Sequence, residues 1–243
     1  VNDDVRMLGN ILGLWAHPDD ETFSSGGLAA IASANGQKVG CITATRGEGG
    51  VYHPDRWPAE KIIDIRTREL EEAQTILGVS EGYWLDFVDG ALTDVEDEDA
   101  LLRILPIVES FQPDTIISFP PDGITGHDDH KAVARWARLV ASRYGKDVRV
   151  LNSVVSAHSY NKYTREMDKE LNIFFHIKKP DLYTKDESYL ALELTDDALD
   201  KKLQALEAMP SQTSDMLAKF PEEQIRQAQA EEYFILAGNE HIG

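Results

Sequence analysis

Apolar runs in this chain come in two periods, and the two alternate. Continuous runs of four to eight apolar residues predict buried strands at Asn10–Trp15, Lys38–Ala44, Gly82–Leu85, Thr115–Phe119 and Val148–Ser156. Between them, apolar positions recur at helical spacing. Ser24–Ala34 is rich in small residues and stops at Asn35-Gly36. Ala59–Leu77 carries Ile62, Ile63, Ile65, Leu70, Ala73, Ile76 and Leu77 ahead of Gly78. The acidic tract Asp94–Asp99 opens a helix that reaches Phe111, its carboxylates suiting the positive helix end, and Lys131–Tyr144 predicts another. Strand–helix alternation of this kind predicts a parallel sheet with helices on both faces.

The last third is less regular. Asn161–Glu170 reads as a polar helix or loop, Leu190–Leu194 as an added strand, Thr195–Ala208 as a helix capped by Thr195, and Glu222–Tyr233 as a final helix. No repeat, linker or break in composition divides the 243 residues, so a single domain, 1–243, is expected. A content of 42% hydrophobic and 28% charged residues is that of a globular protein.

A net charge of −19 argues against nucleic acid and anionic membrane surfaces as partners. It disfavours a strongly anionic substrate unless Arg46, Arg66 or Lys131 offsets it locally. No run approaches the roughly 18 apolar residues of a membrane span, and Val1-Asn2-Asp3-Asp4 lacks the basic start of a signal peptide. The single cysteine, Cys41, excludes an intrachain disulfide framework and sits in an apolar run as a core thiol, so a reducing, cytoplasmic setting is expected. Oligomeric state is not readable, and a homo-oligomer is compatible with all of this.

Two polar clusters carry the chemistry. In the first, Trp15-Ala16-His17-Pro18-Asp19-Asp20-Glu21, a strand delivers an imidazole and three carboxylates at its C-terminal end, where ligands sit in open α/β sheets. Pro18 disfavours helix at His17 and forces a turn, so His17 and one aspartate can face a common point. In the second, Gly126-His127-Asp128-Asp129-His130 follows strand Thr115–Phe119 across a loop punctuated by Pro120, Pro121, Gly123 and Gly126. Parallel strands bring both clusters to one sheet edge. Imidazole plus carboxylate, three ligands and an open position, is the donor set of catalytic zinc. One of Asp19 and Asp20 would ligate and the other act as general base; one of His127 and His130 would ligate, while the other, held protonated by Asp128 or Asp129, would stabilise an oxyanion.

Ala16-His17-Pro18-Asp19-Asp20-Glu21 together with Gly126-His127-x-Asp129-His130 resembles the LmbE-like (PIG-L-like) family of zinc-dependent deacetylases of N-acetylglucosamine compounds. Thr45-Arg46-Gly47-Glu48, Arg66-x-x-Glu69-Leu70, Leu77-Gly78-Val79 and Leu85-Asp86 with Asp89-Gly90 support the likeness, which covers roughly residues 10–155. The resemblance implies a Rossmann-like fold and one Zn2+ per chain, other divalent metals being alternatives. It implies His17, Asp20 and His130 as metal ligands, Asp19 as base, His127 as the oxyanion-stabilising imidazole and Asp129 as the group orienting it. It further implies Arg66 near the substrate pocket, while Glu48 is a candidate for contact with sugar hydroxyls. Some members carry a tyrosine two residues before the first histidine of the second motif; this chain has Thr125.

The implied activity is removal of acetyl from a small amino-sugar substrate. Cleavage of a larger N-acyl conjugate fits the same motifs. A phosphoesterase would prefer two metals and more ligands, and a non-catalytic binding protein would have lost the base at Asp19.

Overall fold

All five residues of β1 (Ile11–Trp15) are buried, as a strand covered on both faces requires. The computed structural model describes residues 2–241; Val1 lies outside the described residues. Strand β1 is central in a sheet whose first half follows the alternation read from the sequence. After β1 come α2 (Asp20–Ala34, preceded by the short α1, Asn2–Arg6), β2 (Val39–Thr45), α3 (Ile62–Leu77), β3 (Glu81–Phe87), α4 (Asp97–Phe111) and β4 (Thr115–Ser118). The turn α5 (Gly123–Gly126) then leads through α6 (Asp128–Arg143) to β5 (Arg149–Ser156).

Strand order is β3-β2-β1-β4-β5, all parallel. The chain runs outward from β1 through β2 to β3, then returns to the other side of β1 for β4. Helices α2 and α3 pack together on one face with a later helix, α9 (Asp196–Glu207); α4 and α6 pack against each other. The gap between the C-terminal ends of β1 and β4 is therefore the point where strand order reverses, which is where open α/β sheets bind ligands.

Beyond β5 come the helical turn α7 (Ala157–Ser159), a π-helical turn (Tyr160–Thr164), α8 (Arg165–Leu171), the short β6 (Leu182–Tyr183) beside β5, and β7 (Leu190–Glu193). Then follow α9 (Asp196–Glu207), α10 (Pro210–Lys219), α11 (Glu222–Gln229) and β8 (Glu231–Leu236). Strand β8 inserts between β5 and β7, antiparallel to both. The helix expected over 222–233 ends at Gln229, and its last residues belong to this strand. The adjacent pair Glu231-Glu232 reads as a solvated helical face, but Glu232 is only 3% exposed. Its carboxylate accepts hydrogen bonds from Gly27 N (2.7 Å), Leu28 N (2.8 Å) and Lys202 Nζ (2.8 Å).

Those bonds have a local cause. Helix α2 breaks at Ser25 (φ −152°), so Gly27 and Leu28 are amides of a new first turn that need an acceptor. A buried carboxylate there meets the positive helix end, and Lys202 from α9 neutralises it. Gly27 is small because Leu194 approaches: a Cβ would lie 2.3 Å from Leu194 Cδ1. None of the described helices is long and apolar enough to cross a membrane.

Candidate functional site

The turn forced by Pro18 places Asp19 at φ 132°, ψ −31°, a conformation costly for any residue with a Cβ. Several bonds hold it there. Asp19 O accepts from Thr22 N (3.0 Å) and Phe23 N (3.1 Å), and Arg66 Nη2 donates to Pro18 O (2.6 Å) and to Asp19 Oδ2 (3.1 Å). Arg66 Nη1 reaches Gly47 O at 2.7 Å, and a Cβ at Gly47 would collide with the guanidinium at 2.3 Å. Arg66, expected near the substrate, is thus 3% exposed and occupied with the loop that carries Asp19. Glu48 Oε1 likewise accepts from the backbone N of Asp89 (2.9 Å) and shapes the loop after β3. Neither lines the cavity described below.

Three donors converge at the β1/β4 gap. His130 Nε2 lies 3.3 Å from His17 Nδ1 and 3.3 Å from Asp20 Oδ1, and His17 Nδ1 lies 3.5 Å from Asp20 Oδ2. Ligands on bonds of about 2.0–2.1 Å to a tetrahedral ion sit roughly 3.3–3.4 Å apart, so the spacing fits one cation.

Outer partners settle which nitrogen faces that point. Gly123 O can only accept, so His130 Nδ1 donates to it (2.9 Å) and leaves Nε2 as the ligand atom. Asp89 Oδ1 (3.0 Å) and Asp129 Oδ2 (3.3 Å) can only accept from His17 Nε2, which leaves Nδ1 inward. Asp20 is fixed by the backbone N of His17, 2.7 Å from its Oδ2. His17, Asp20 and His130 therefore form a set that can hold a metal ion.

Charge tells the same story. Burial opposes protonation of His17, yet Asp129, Asp20 and Asp89 together hold its pKa well above the usual imidazole value. Burial also works against ionised Asp20, but His130 and His17 keep its carboxyl well below the ordinary range. Carboxylates crowded on buried imidazoles are a setting that favours a cation. Asp19 differs. Burial, reinforced by Asp20, pushes its pKa up to about 6 against the pull of Arg66, His17 and His130.

Asp129 takes a position the sequence did not suggest. Its carboxylate accepts from Gly90 N (2.7 Å) and Leu92 N (3.0 Å) and faces His17. Its link to His127 is made by its backbone N–H, donated to His127 Nδ1 at 3.1 Å. The proton of a neutral His127 must then reside on Nε2. Burial and the nearby His17 and His130 lower its pKa to about 4, so a neutral N–H donor is what this residue offers, in place of the imidazolium expected. Asp128 is exposed and pairs with Lys131 at 2.9 Å.

The basic offsets considered for an anionic substrate are all engaged: Lys131 on Asp128, Arg46 on Asp86 (2.7 Å) and the face of Trp84, Arg66 in the interior. Thr125 lies 3.4 Å from His130 Nδ1 and on the cavity wall. Of the other histidines, His53 pairs with Asp215 (2.9 Å), His158 with Glu231 (2.8 Å), and His176 rests edge-on against His127, 5.2 Å between ring centres.

A cavity of about 690 Å3 opens from Asp19, Asp20 and His130. Its far wall comes from β5, α8, α10 and α11, and Phe23, Tyr52 and Phe175 also line it. Sequence reasoning missed Phe23 and Tyr52 and gave Asp89 no role. Only Asp89-Gly90, directly after β3, carried a usable signal.

The chain is similar to several known proteins. The chain is 30% identical over 174 residues to 1D-myo-inositol 2-acetamido-2-deoxy-alpha-D-glucopyranoside deacetylase of Saccharomonospora viridis, covering 60% of this chain and 63% of the relative. It is 34% identical over 149 residues to mycothiol S-conjugate amidase of Streptomyces coelicolor, covering 54% and 49%. The chain thus matches about half to three fifths of the length of these curated relatives. Among solved structures, N,N'-diacetylchitobiose deacetylase of Pyrococcus horikoshii superposes with a TM-score of 0.68 at 20% identity, over 98% of this chain and 86% of that one. A 4-carboxy-2-hydroxymuconate hydratase of Pseudomonas putida superposes at 0.64 and 17% identity, over 97% and 98%. These structural likenesses establish the fold, and the hydratase shows that the fold alone does not fix the reaction. Residues 12–141 match the family described as PIG-L: GlcNAc-PI de-N-acetylase, and the chain belongs to that family.

Proposed function

We propose that the protein is a metal-dependent N-deacetylase that hydrolyses the acetamide of an N-acetylglucosamine-type substrate to acetate and a free amine. The observation that carries this reading is the convergence of His17 Nδ1, Asp20 and His130 Nε2 beside the carboxylate of Asp19 at the mouth of a cavity. A divalent ion held by those three residues, zinc suiting the donor set, supplies a Lewis acid for the amide oxygen and lowers the pKa of water.

The chain's own residues do the rest. Asp19 accepts the proton of the attacking water and returns it to the departing nitrogen. Its burial and its bond to Arg66 hold the carboxylate in one orientation through both transfers. His127 directs its Nε2 proton at the oxygen that gains charge, and the amide of Asp129 fixes that tautomer. Asp129 and Asp89 orient His17, and the carbonyl of Gly123 orients His130.

The relatives' activities, on an acetamido sugar and on an S-conjugate, support amide hydrolysis and leave acyl size open. Cleavage of a larger N-acyl conjugate is the second reading, favoured by the cavity's volume. The test is release of primary amine and of acetate from N-acetyl sugars by metal-free protein titrated with zinc. Activity saturating at one equivalent is expected. A requirement for two equivalents, with phosphate ester cleavage and no amine release, would replace this reading with a phosphoesterase.

A further inference from the structure

We infer that the cavity beyond the reactive centre receives an apolar part of the substrate, an aromatic or short alkyl group carried next to the amino sugar, in preference to a second sugar. The inference rests on the deacetylase reading and narrows its substrate class.

The cavity, about 690 Å3, is in the range that encloses a whole small ligand rather than one ring. Phe119, Ile124, Met167, Leu171, Phe174 and Met216 line it. Four polar side chains on the same wall are bonded within the protein, and Thr164, Asn172 and Gln229 are further polar residues among the mainly apolar lining. Ser153 Oγ donates to Ser24 O (3.0 Å), Ser159 Oγ to Ala228 O (3.0 Å), Ser156 Oγ to Glu231, and Lys202 Nζ to Glu232 (2.8 Å). A second sugar would lose its water shell here and find these hydroxyls and this ammonium already engaged, which is costly for each hydroxyl left unpaired. An apolar group has no such demand and gains from leaving water.

The mouth repeats the pattern. Tyr52 and Phe175 line the cavity while 66% and 51% exposed, so the mouth offers aromatic faces to a bound group. The turn bearing Phe174 and Phe175 is locked to the catalytic loop. A Cβ on Gly126 (φ +79°) would meet Ile177 Cγ2 at 2.5 Å and His176 Cβ at 3.0 Å, so the glycine exists for that close approach. The aromatic turn and His127 are thus positioned by one backbone.

The experiment uses the full chain loaded with zinc and compares kcat/KM for N-acetylglucosamine, N,N'-diacetylchitobiose, and the phenyl and hexyl glycosides of N-acetylglucosamine. N-hexanoylglucosamine places the apolar group on the acyl side instead. A gain of about tenfold or more over N-acetylglucosamine is expected from an apolar group, in the glycoside arm or in the acyl arm. The arm that gains shows which side of the amide faces the cavity. Phe175→Ser, at an exposed position, should reduce that gain severalfold. Equal rates for all substrates, or a preference for diacetylchitobiose, would overturn the inference and leave the deacetylase reading standing. Calorimetry with phenyl β-D-glucoside, which has no amide, separates the two: binding without turnover of any amide supports the apolar cavity and sinks the deacetylase reading, and absence of both binding and turnover sinks both.

Discussion

The two walls of the cavity were built by different rules. The reactive wall comes from two short loops after β1 and β4, where nearly every side chain is dictated by what it bonds: Asp19 by Arg66, His17 by Asp89 and Asp129, His130 by Gly123. The opposite wall, drawn from residues between Ser153 and Glu231, is mainly apolar surface backed by buried polar pairs such as Lys202–Glu232. Under the proposed reaction the first would tolerate little change of residue type, because each group would have a chemical task. The second needs only volume and apolarity, which many residues supply. Selectivity can therefore vary on the second wall while the first keeps its reaction.

The strongest way to sharpen this contrast is Asp19→Asn, which keeps shape and removes the base. A fall in kcat of about 10²- to 10⁴-fold is expected, with zinc stoichiometry and binding of an apolar glycoside retained. Undiminished turnover in a zinc-loaded sample would refute the assignment of Asp19. Removing a donor, His130→Ala, should abolish zinc retention on dialysis as well as activity.

On the other wall, Lys202→Met strands the Glu232 carboxylate at 3% exposure with only two amides for company. A loss of about 3 kcal/mol in urea unfolding is expected. The double variant Lys202→Met, Glu232→Gln should recover part of it, since no charge is left buried and the amide oxygen can still accept from one of Gly27 and Leu28. No recovery would mean that the ammonium does more than neutralise.

A pH titration probes the loop after β1. Burial, reinforced by Asp19 and Asp20, pushes the pKa of Glu21 from 4.5 to about 7. A raised carboxyl pKa contributes stability that is complete below about 4.5 and is lost as pH rises through about 7. In metal-free protein, Glu21→Gln should therefore gain stability relative to the parent as pH climbs across that window, approaching about 3 kcal/mol. Asp19 adds a change of the same sign. A difference that stays flat from pH 4.5 to 8 would contradict the burial argument.

The smallest effect belongs to the surface. Arg226 is paired with Asp196 (3.1 Å) and Asp200, both of them largely exposed. Asp200→Asn should cost about 0.5 kcal/mol at low salt and less at high salt.

Much of this was legible without coordinates. Strands β1, β2, β4 and β5 and helices α3, α4 and α6 announce themselves because each buries a whole face, and burial imposes a period on the residues that make it. The His17–Glu21 and His127–His130 clusters are legible because their spacing is local. Strand β8 was hidden: its residues Glu231 and Glu232 mimic a solvated helix, and only Lys202, 30 positions away, makes the second of them buriable.

The sequence by itself determined the parallel half of the sheet, the meeting of the two polar clusters at its edge, and the kind of chemistry such donors support. Tertiary structure alone decided that Arg66 and Glu48 hold loops instead of facing the cavity, that the Asp129 carboxylate faces His17, and that Tyr52, Phe175 and Met216 share one cavity. The reason is distance. A period or a motif is written within a few neighbouring positions, whereas the partner of a buried charge or the far wall of a cavity is set by residues tens to more than a hundred positions away, whose approach depends on the whole fold.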